Sequence, residues 1–202
     1  MVYPIFRYVL RFLVWLFSTQ VEGIEFIPRK GPFIVAANHA SFLDPLLLAC
    51  AVIKKTDQKV HFIAYRGRFS YLGDFIIRRW AGCILVRYNK KEIAAALSQA
   101  GALLREGAIV GIFPGAPHHD LRRPKKGVAL LALAARCPVL PAAITGTDEI
   151  LPSPSIVPRR VRHARIRYME PIMFCESGQT VDVAAKEIGG IILAGLCEDG
   201  KE

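Results

Sequence analysis

From about residue 22 onward, hydrophobic positions alternate between short apolar runs of strand length and stretches with helical period. The runs predict strands over Phe33–Ala37, Val60–Tyr65, Cys83–Arg87, Ala108–Phe113, Val139–Ile144 and Val161–Met169, with helices near 45–54, 90–105, 127–135 and 179–196. Strands separated by helices imply an α/β fold: a single domain built on a mainly parallel, twisted sheet with helices on its faces. No internal repeat, low-complexity stretch or long linker divides residues 21–202. In such sheets chemistry gathers in the loops at the carboxyl ends of strands, which singles out the loops after Ala37 and Phe113.

The first twenty residues, MVYPIFRYVLRFLVWLFSTQ, follow a different pattern. Arg7 and Arg11 interrupt the apolar stretch and leave only Phe12 to Phe17 unbroken, too short a run to span a bilayer. A signal peptide would carry its charge ahead of the apolar region and end in small residues, so an uncleaved segment is expected. A helix starting near Pro4 would place both arginines on one face and apolar side chains around most of the rest. That suits an N-terminal amphipathic helix over 1–20 lying in the membrane interface, with its arginines reaching the head groups. The same pattern suits a helix that closes the core, or a short tilted span.

Charge and composition narrow the functional classes. Twenty-seven Lys and Arg against 17 Asp and Glu give a formal charge of +10, on a chain that is 52% hydrophobic with a mean hydropathy of +0.31. That is too apolar for a disordered or fibrous chain, or for a typical soluble nucleic-acid binder. Basic and apolar together point to an anionic, apolar partner such as a membrane leaflet or a lipid with a phosphate head. The five cysteines are scattered, with no Cys-x-x-Cys pair, and read as reduced core thiols rather than a disulfide frame or a zinc site. The expected location is the cytoplasmic face of a membrane, peripheral or monotopic.

The loop after the first strand reads Asn38-His39-Ala40-Ser41-Phe42-Leu43-Asp44-Pro45. Five residues of helix turn through about 500°, so His39 and Asp44 meet only if the segment between them is a turn. Asp44 before Pro45 supplies a helix start, with Asp at the N-cap and Pro at the first helical position. Asp44 could then hold one ring nitrogen of His39 and leave the other free to take a proton from a hydroxyl. A plain helix cap explains Asp44 without chemistry, and Ser41 to Asp44 also fits a capping box.

Asn38-His39-x-x-x-x-Asp44 followed by a prolyl-apolar helix resembles the first motif of the glycerolipid acyltransferases typified by lysophosphatidic acid acyltransferase, the PlsC-like family. Val139-Leu140-Pro141-Ala142-Ala143-Ile144-Thr145-Gly146-Thr147 is similar to the family's last block, and the order of elements from about 22 to 175 agrees. The resemblance implies transfer of a fatty acyl group from acyl-CoA or acyl-carrier protein to a glycerolipid hydroxyl, most simply that of 1-acylglycerol-3-phosphate. It implies His39 as base and Asp44 as its orienting partner. No metal and no cofactor are implied.

Two blocks depart from the family pattern. Where its third motif reads Phe-Pro-Glu-Gly-Thr-Arg, this chain has Phe113-Pro114-Gly115-Ala116-Pro117-His118, so Gly115 and His118 stand in place of the glutamate and arginine credited with gripping the glycerol phosphate. The second block puts Tyr88 where an arginine is usual and Arg87 one position early, on the opposite strand face unless a bulge intervenes. The expected substrate contacts are therefore Asn38, Ser41, Arg87, Phe113, Pro114, Gly115, His118, Arg122 and Arg123. Arg122, Arg123, Lys125 and Lys126 precede a helix opening near Gly127, which favours a phosphate, although a solvated basic loop explains each of them singly. Paired His118 and His119 make a poor metal set. The late run Arg159, Arg160, Arg162, Arg165 and Arg167 reads as a charged edge strand, or as a face for anionic lipid or an acidic acyl carrier. RNA is disfavoured because no stacking-aromatic motif accompanies the charge. An acyltransferase for a neutral or other lysolipid acceptor, an acyl thioesterase and a catalytically degenerate membrane-binding homologue are the alternative functions that the altered third motif leaves open.

Overall fold

The computed structural model describes residues 19–65, 82–87, 89–115, 121–151, 164–174 and 179–198. Their strands are β1 (Gln20–Glu22), β2 (Phe33–Ala37), β3 (Val60–Tyr65), β4 (Ile84–Val86), β5 (Ile109–Ile112), β6 (Val139–Thr145) and β7 (Arg165–Tyr168). Their α-helices are α1 (Asp44–Thr56), α2 (Lys90–Arg105), α3 (Gly127–Ala135), α4 (Thr147–Ile150) and α5 (Val181–Glu198). The strands form one sheet in the order β1-β7-β6-β2-β5-β3-β4. Pairings are parallel except β6 with β7, so β1 and β7 run against the other five.

The alternation of β2 divides the core in two. Phe33, Val35 and Ala37 point to the layer filled by α1, which contributes Leu47, Leu48, Val52 and Ile53. Ile34 and Ala36 point to the opposite layer, filled by α2, α3 and α5 through Ala100, Leu104, Val128, Leu131, Ile188 and Ile192. All five β2 residues are fully buried, as a central parallel strand between two helix layers requires. Tyr168 pins the α1 layer to β7 by donating its buried hydroxyl to the Leu48 carbonyl at 2.6 Å.

The structure bears on four of the sequence expectations. Residues 1–18, where the amphipathic helix is expected, lie outside the described residues, and Gln20 already belongs to β1. No helix among the described residues is long and apolar enough to cross a membrane. The basic strand is not an edge: β1 covers β7, and Glu22 meets Arg167 at 2.8 Å and Arg165 at 3.5 Å. Of the described cysteines, Cys137 is buried, Cys50 and Cys83 are half-buried and Cys197 is exposed, so the reading of all five as core thiols fails at Cys197, while Cys175 lies outside the described residues. Burial pushes the Cys50 thiol up to about 12 and those of Cys83 and Cys137 up to about 11.

Candidate active site

The carboxyl ends of β2, β5 and β6 meet at one end of the sheet, and the loop from Asn38 to Leu43 leaves β2 there. Asn38 closes this end sideways. Its amide nitrogen donates to the Ile144 carbonyl and its amide oxygen accepts from the Ile144 N–H, each at 2.7 Å. The chain then turns through Ala40 and Ser41 into α1. Ser41 accepts from the Leu43 N–H at 3.2 Å and donates to the Leu151 carbonyl at 2.8 Å, which ties the turn to the end of β6 through α4.

This turn brings His39 and Asp44 together. Nδ1 of His39 lies 2.9 Å from Oδ2 of Asp44, and the same oxygen accepts the backbone N–H of Ala40 at 2.7 Å and of Ser41 at 2.8 Å. Asp44 is wholly buried, whereas the His39 side chain keeps 23% of its surface exposed. With the Asp44 carboxylate oxygen as acceptor, the contact is made by an Nδ1–H of His39. Nε2 is then an acceptor on the far side of the ring from Asp44.

Asp44 is the first helical residue rather than the cap: Leu43 caps α1, and Pro45 stands second. The reason lies in the three bonds above. The carboxylate reaches back to the turn instead of forward to the helix, which satisfies the capping-box bond to Ser41 and the contact to His39 with a single oxygen. One side chain thus closes the turn before the helix and orients the histidine.

The other expected site residues are distributed as follows. Phe113, at the end of β5, stacks on the His39 ring with centroids 4.4 Å apart and planes 20° from parallel. Pro114 and Gly115 are buried behind it, and the Pro114 carbonyl accepts the Lys125 N–H at 2.9 Å. That bond draws the basic segment before α3 back to the site. Arg122 and Arg123 are exposed there, burial pulls Lys125 down from its ordinary value, and Lys126 is taken up by Asp182 at 2.6 Å. Arg87 is exposed at the end of β4, three strands from β2 and so about 14 Å across the sheet. The β3–β4 ladder runs without a bulge through Val86, so nothing in it moves Arg87 into the position of Tyr88. Tyr88, His118 and His119 lie outside the described residues. Among the described residues no group of three His, Cys, Asp or Glu side chains could hold a metal ion.

Two partners of the site were not legible in sequence. Phe62 stacks on Phe113 with ring centroids 5.6 Å apart, and the backbone of Ile144 is what Asn38 grips. Both contacts depend on strand order, since β3 and β6 flank the β2–β5 pair from opposite sides.

Comparison with known proteins bears on the family and the fold. The sequence profile described as Acyltransferase matches residues 18–145. A probable 1-acyl-sn-glycerol-3-phosphate acyltransferase of Mycoplasma genitalium is 30% identical over 143 residues, covering 66% of this chain and 53% of that protein. The 1-acyl-sn-glycerol-3-phosphate acyltransferase of Bacillus subtilis is 25% identical over 139 residues, covering 65% of each. The chain thus spans between about half and just under two thirds of these curated relatives. The crystal structure of the 1-acyl-sn-glycerophosphate acyltransferase PlsC from Thermotoga maritima superposes with a TM-score of 0.72 at 23% identity, over 98% of this chain and 82% of that one, and so shares its fold. With the profile covering well over half of the residues, the chain belongs to the acyltransferase family, as a PlsC-like member.

Proposed function

We propose that the protein is an O-acyltransferase that moves a fatty acyl group from an acyl thioester, acyl-CoA or acyl-carrier protein, to a glycerolipid hydroxyl, with 1-acylglycerol-3-phosphate as acceptor. One observation carries the reading: Asp44 Oδ2 holds Nδ1 of His39 at 2.9 Å while two backbone N–H groups hold the same oxygen. In the reaction His39 Nε2 takes the acceptor hydroxyl proton as the oxygen attacks the thioester carbonyl carbon. The tetrahedral intermediate expels the thiolate as the C–S bond breaks, and the imidazolium returns the proton to the sulfur. Asp44 stabilises the imidazolium that forms in between, and backbone donors near Gly115 are the candidates for the oxyanion. General base catalysis of this kind contributes a factor of about 10² to 10⁴.

The names of the relatives support a lysophosphatidate acceptor, as does the cationic segment drawn to the site by Lys125. In this reading Arg122 and Arg123 meet the phosphate. Pro114 and Gly115 shape the floor, and Asn38 and Ser41 act by holding the catalytic turn. β1 starts at this same end, since Gln20 and Thr145 both register with Arg165, so the apolar residues ahead of Thr19 join the domain where a lipid acceptor would arrive. We assign them to the membrane interface, with Arg7 and Arg11 at the head groups. The missing glutamate of the third motif favours a second reading, hydrolysis with water as acceptor. Incubation with radiolabelled acyl-CoA or acyl-carrier protein and a panel of lysophosphatidate, other lysolipids and monoacylglycerol separates them. The expected product is labelled phosphatidate. Free fatty acid alone would establish a thioesterase, and no turnover with any acceptor would leave a membrane-binding homologue.

A further inference from the structure

A hydrogen bond at one ring nitrogen fixes where an imidazole is attached but leaves it free to swing about that contact. The position of Nε2 in space therefore needs a second constraint on the plane of the ring. His39 has one: the Phe113 ring lies 4.4 Å from it, 20° from parallel. Phe113 is in turn backed by Phe62, with centroids 5.6 Å apart and planes within 9°. The three rings form a continuous pile crossing the carboxyl end of β2, the end of β5 and the middle of β3.

The pile exists because of a gap. Phe62 is in register with Gly111 on the neighbouring strand, and a Cβ added to Gly111 would lie 2.2 Å from Cε1 and 2.4 Å from Cδ1 of the Phe62 ring. Any side chain at 111 would push that ring out of the place from which it supports Phe113. Gly111 lies on β5 and Phe113 just past its end, two residues on and on the same α1-side layer as Phe62, which makes Gly111 the vacancy that Phe62 fills. Phe62 is buried at 6% exposure and anchored in the α1-side core, whereas Phe113 is only partly buried, so rigidity passes outward from the core to the catalytic ring.

We propose that Phe113 and Phe62 are positioning residues that set the plane of the His39 imidazole, and that Gly111 is the space that allows them to do so. The proposal rests on the reading of His39 as base. It moves Phe113 from the substrate, where the sequence puts it, to the base. Parallel stacking of this kind constrains orientation and covers one face of the imidazole from water, leaving the edge that carries Nε2 for the acceptor hydroxyl.

The test joins a spectroscopic readout to kinetics. In the full-length protein the imidazole carbon-bound proton resonances of His39, assigned by their loss in His39→Ala, are expected upfield from the ring currents of Phe113. Phe113→Leu keeps an apolar side chain but removes the ring: those resonances are expected to move downfield, and kcat to fall about threefold to tenfold with KM within about twofold. Phe113→Tyr restores the ring and with it both properties. Gly111→Ala is expected to shift the same resonances, and combining it with Phe62→Leu to cost no more than Phe62→Leu alone, because Gly111 acts through Phe62. Unmoved His39 resonances in Phe113→Leu, or a rise in KM with kcat intact, would overturn the proposal, the latter by making Phe113 a substrate contact. Since the resonances are read without turnover, a protein that transfers no acyl group would refute the function and leave the stacking claim to be decided on its own.

Discussion

Asp44 does at residue scale what usually takes two side chains, and Asn38 matches it from the other side of the loop. The amide of Asn38 satisfies both the N–H and the carbonyl of Ile144, two groups that a shorter or apolar side chain would leave without partners at a half-buried position. Asn38→Leu is therefore expected to lower stability by about 1–3 kcal/mol, read as a lower urea midpoint, and to reduce kcat by letting the His39 turn move. An unchanged midpoint would show that Ile144 finds other partners. The spacing of His39 and Asp44 made the pair legible in sequence, because only a turn brings positions five apart together and Asp44-Pro45 supplies the start of a helix. Asn38 could be placed at the strand end but not assigned its partner, since Ile144 lies 106 residues away and on a strand whose position no local pattern reveals.

The elements that the sequence resolved best are those whose period is unmixed. β2 and β3 occupy the residues expected, and so does α3 (Gly127–Ala135), because an unbroken buried run or a clear helical face leaves little choice of boundary. β1 escaped because three residues with polar ends carry no period, and with it went the correct place of β7, which was read as an edge. His61 shows an element held by a titratable group: its Nδ1 donates to the Gly82 carbonyl at 2.9 Å and ties β3 to the approach of β4. Burial lowers its affinity for a second proton below the ordinary histidine value of 6.5; the Gly82 carbonyl opposes this and the Lys59 charge adds to it. As pH falls, the unfolded chain takes up this proton before the folded one, so the contribution of the site is full above about 6.5 and declines below it. The urea midpoint is expected to drop more between pH 7 and pH 5 in the wild type than in His61→Gln; equal drops would contradict it.

At the scale of the molecule, the excess charge divides according to where the sheet places it. Arg165 and Arg167 are engaged with Glu22 and Lys126 with Asp182, and the side chains of Arg122 and Arg123 are exposed near the loop that carries Phe113. The sequence made the fold class and the basic, apolar character plain, but it could not divide the arginines between structure and surface, because that depends on β1 pairing with β7. The catalytic end of the sheet is where the lipid-facing assignment and the chemistry coincide. The proposed base, His39, stands at that end in contact with Asp44. Labelled phosphatidate formed from acyl thioester and 1-acylglycerol-3-phosphate, compared between purified wild type and a folded His39→Ala variant, tests it most directly. A fall of about 10² to 10⁴ in kcat is predicted; wild-type transfer by His39→Ala would contradict it.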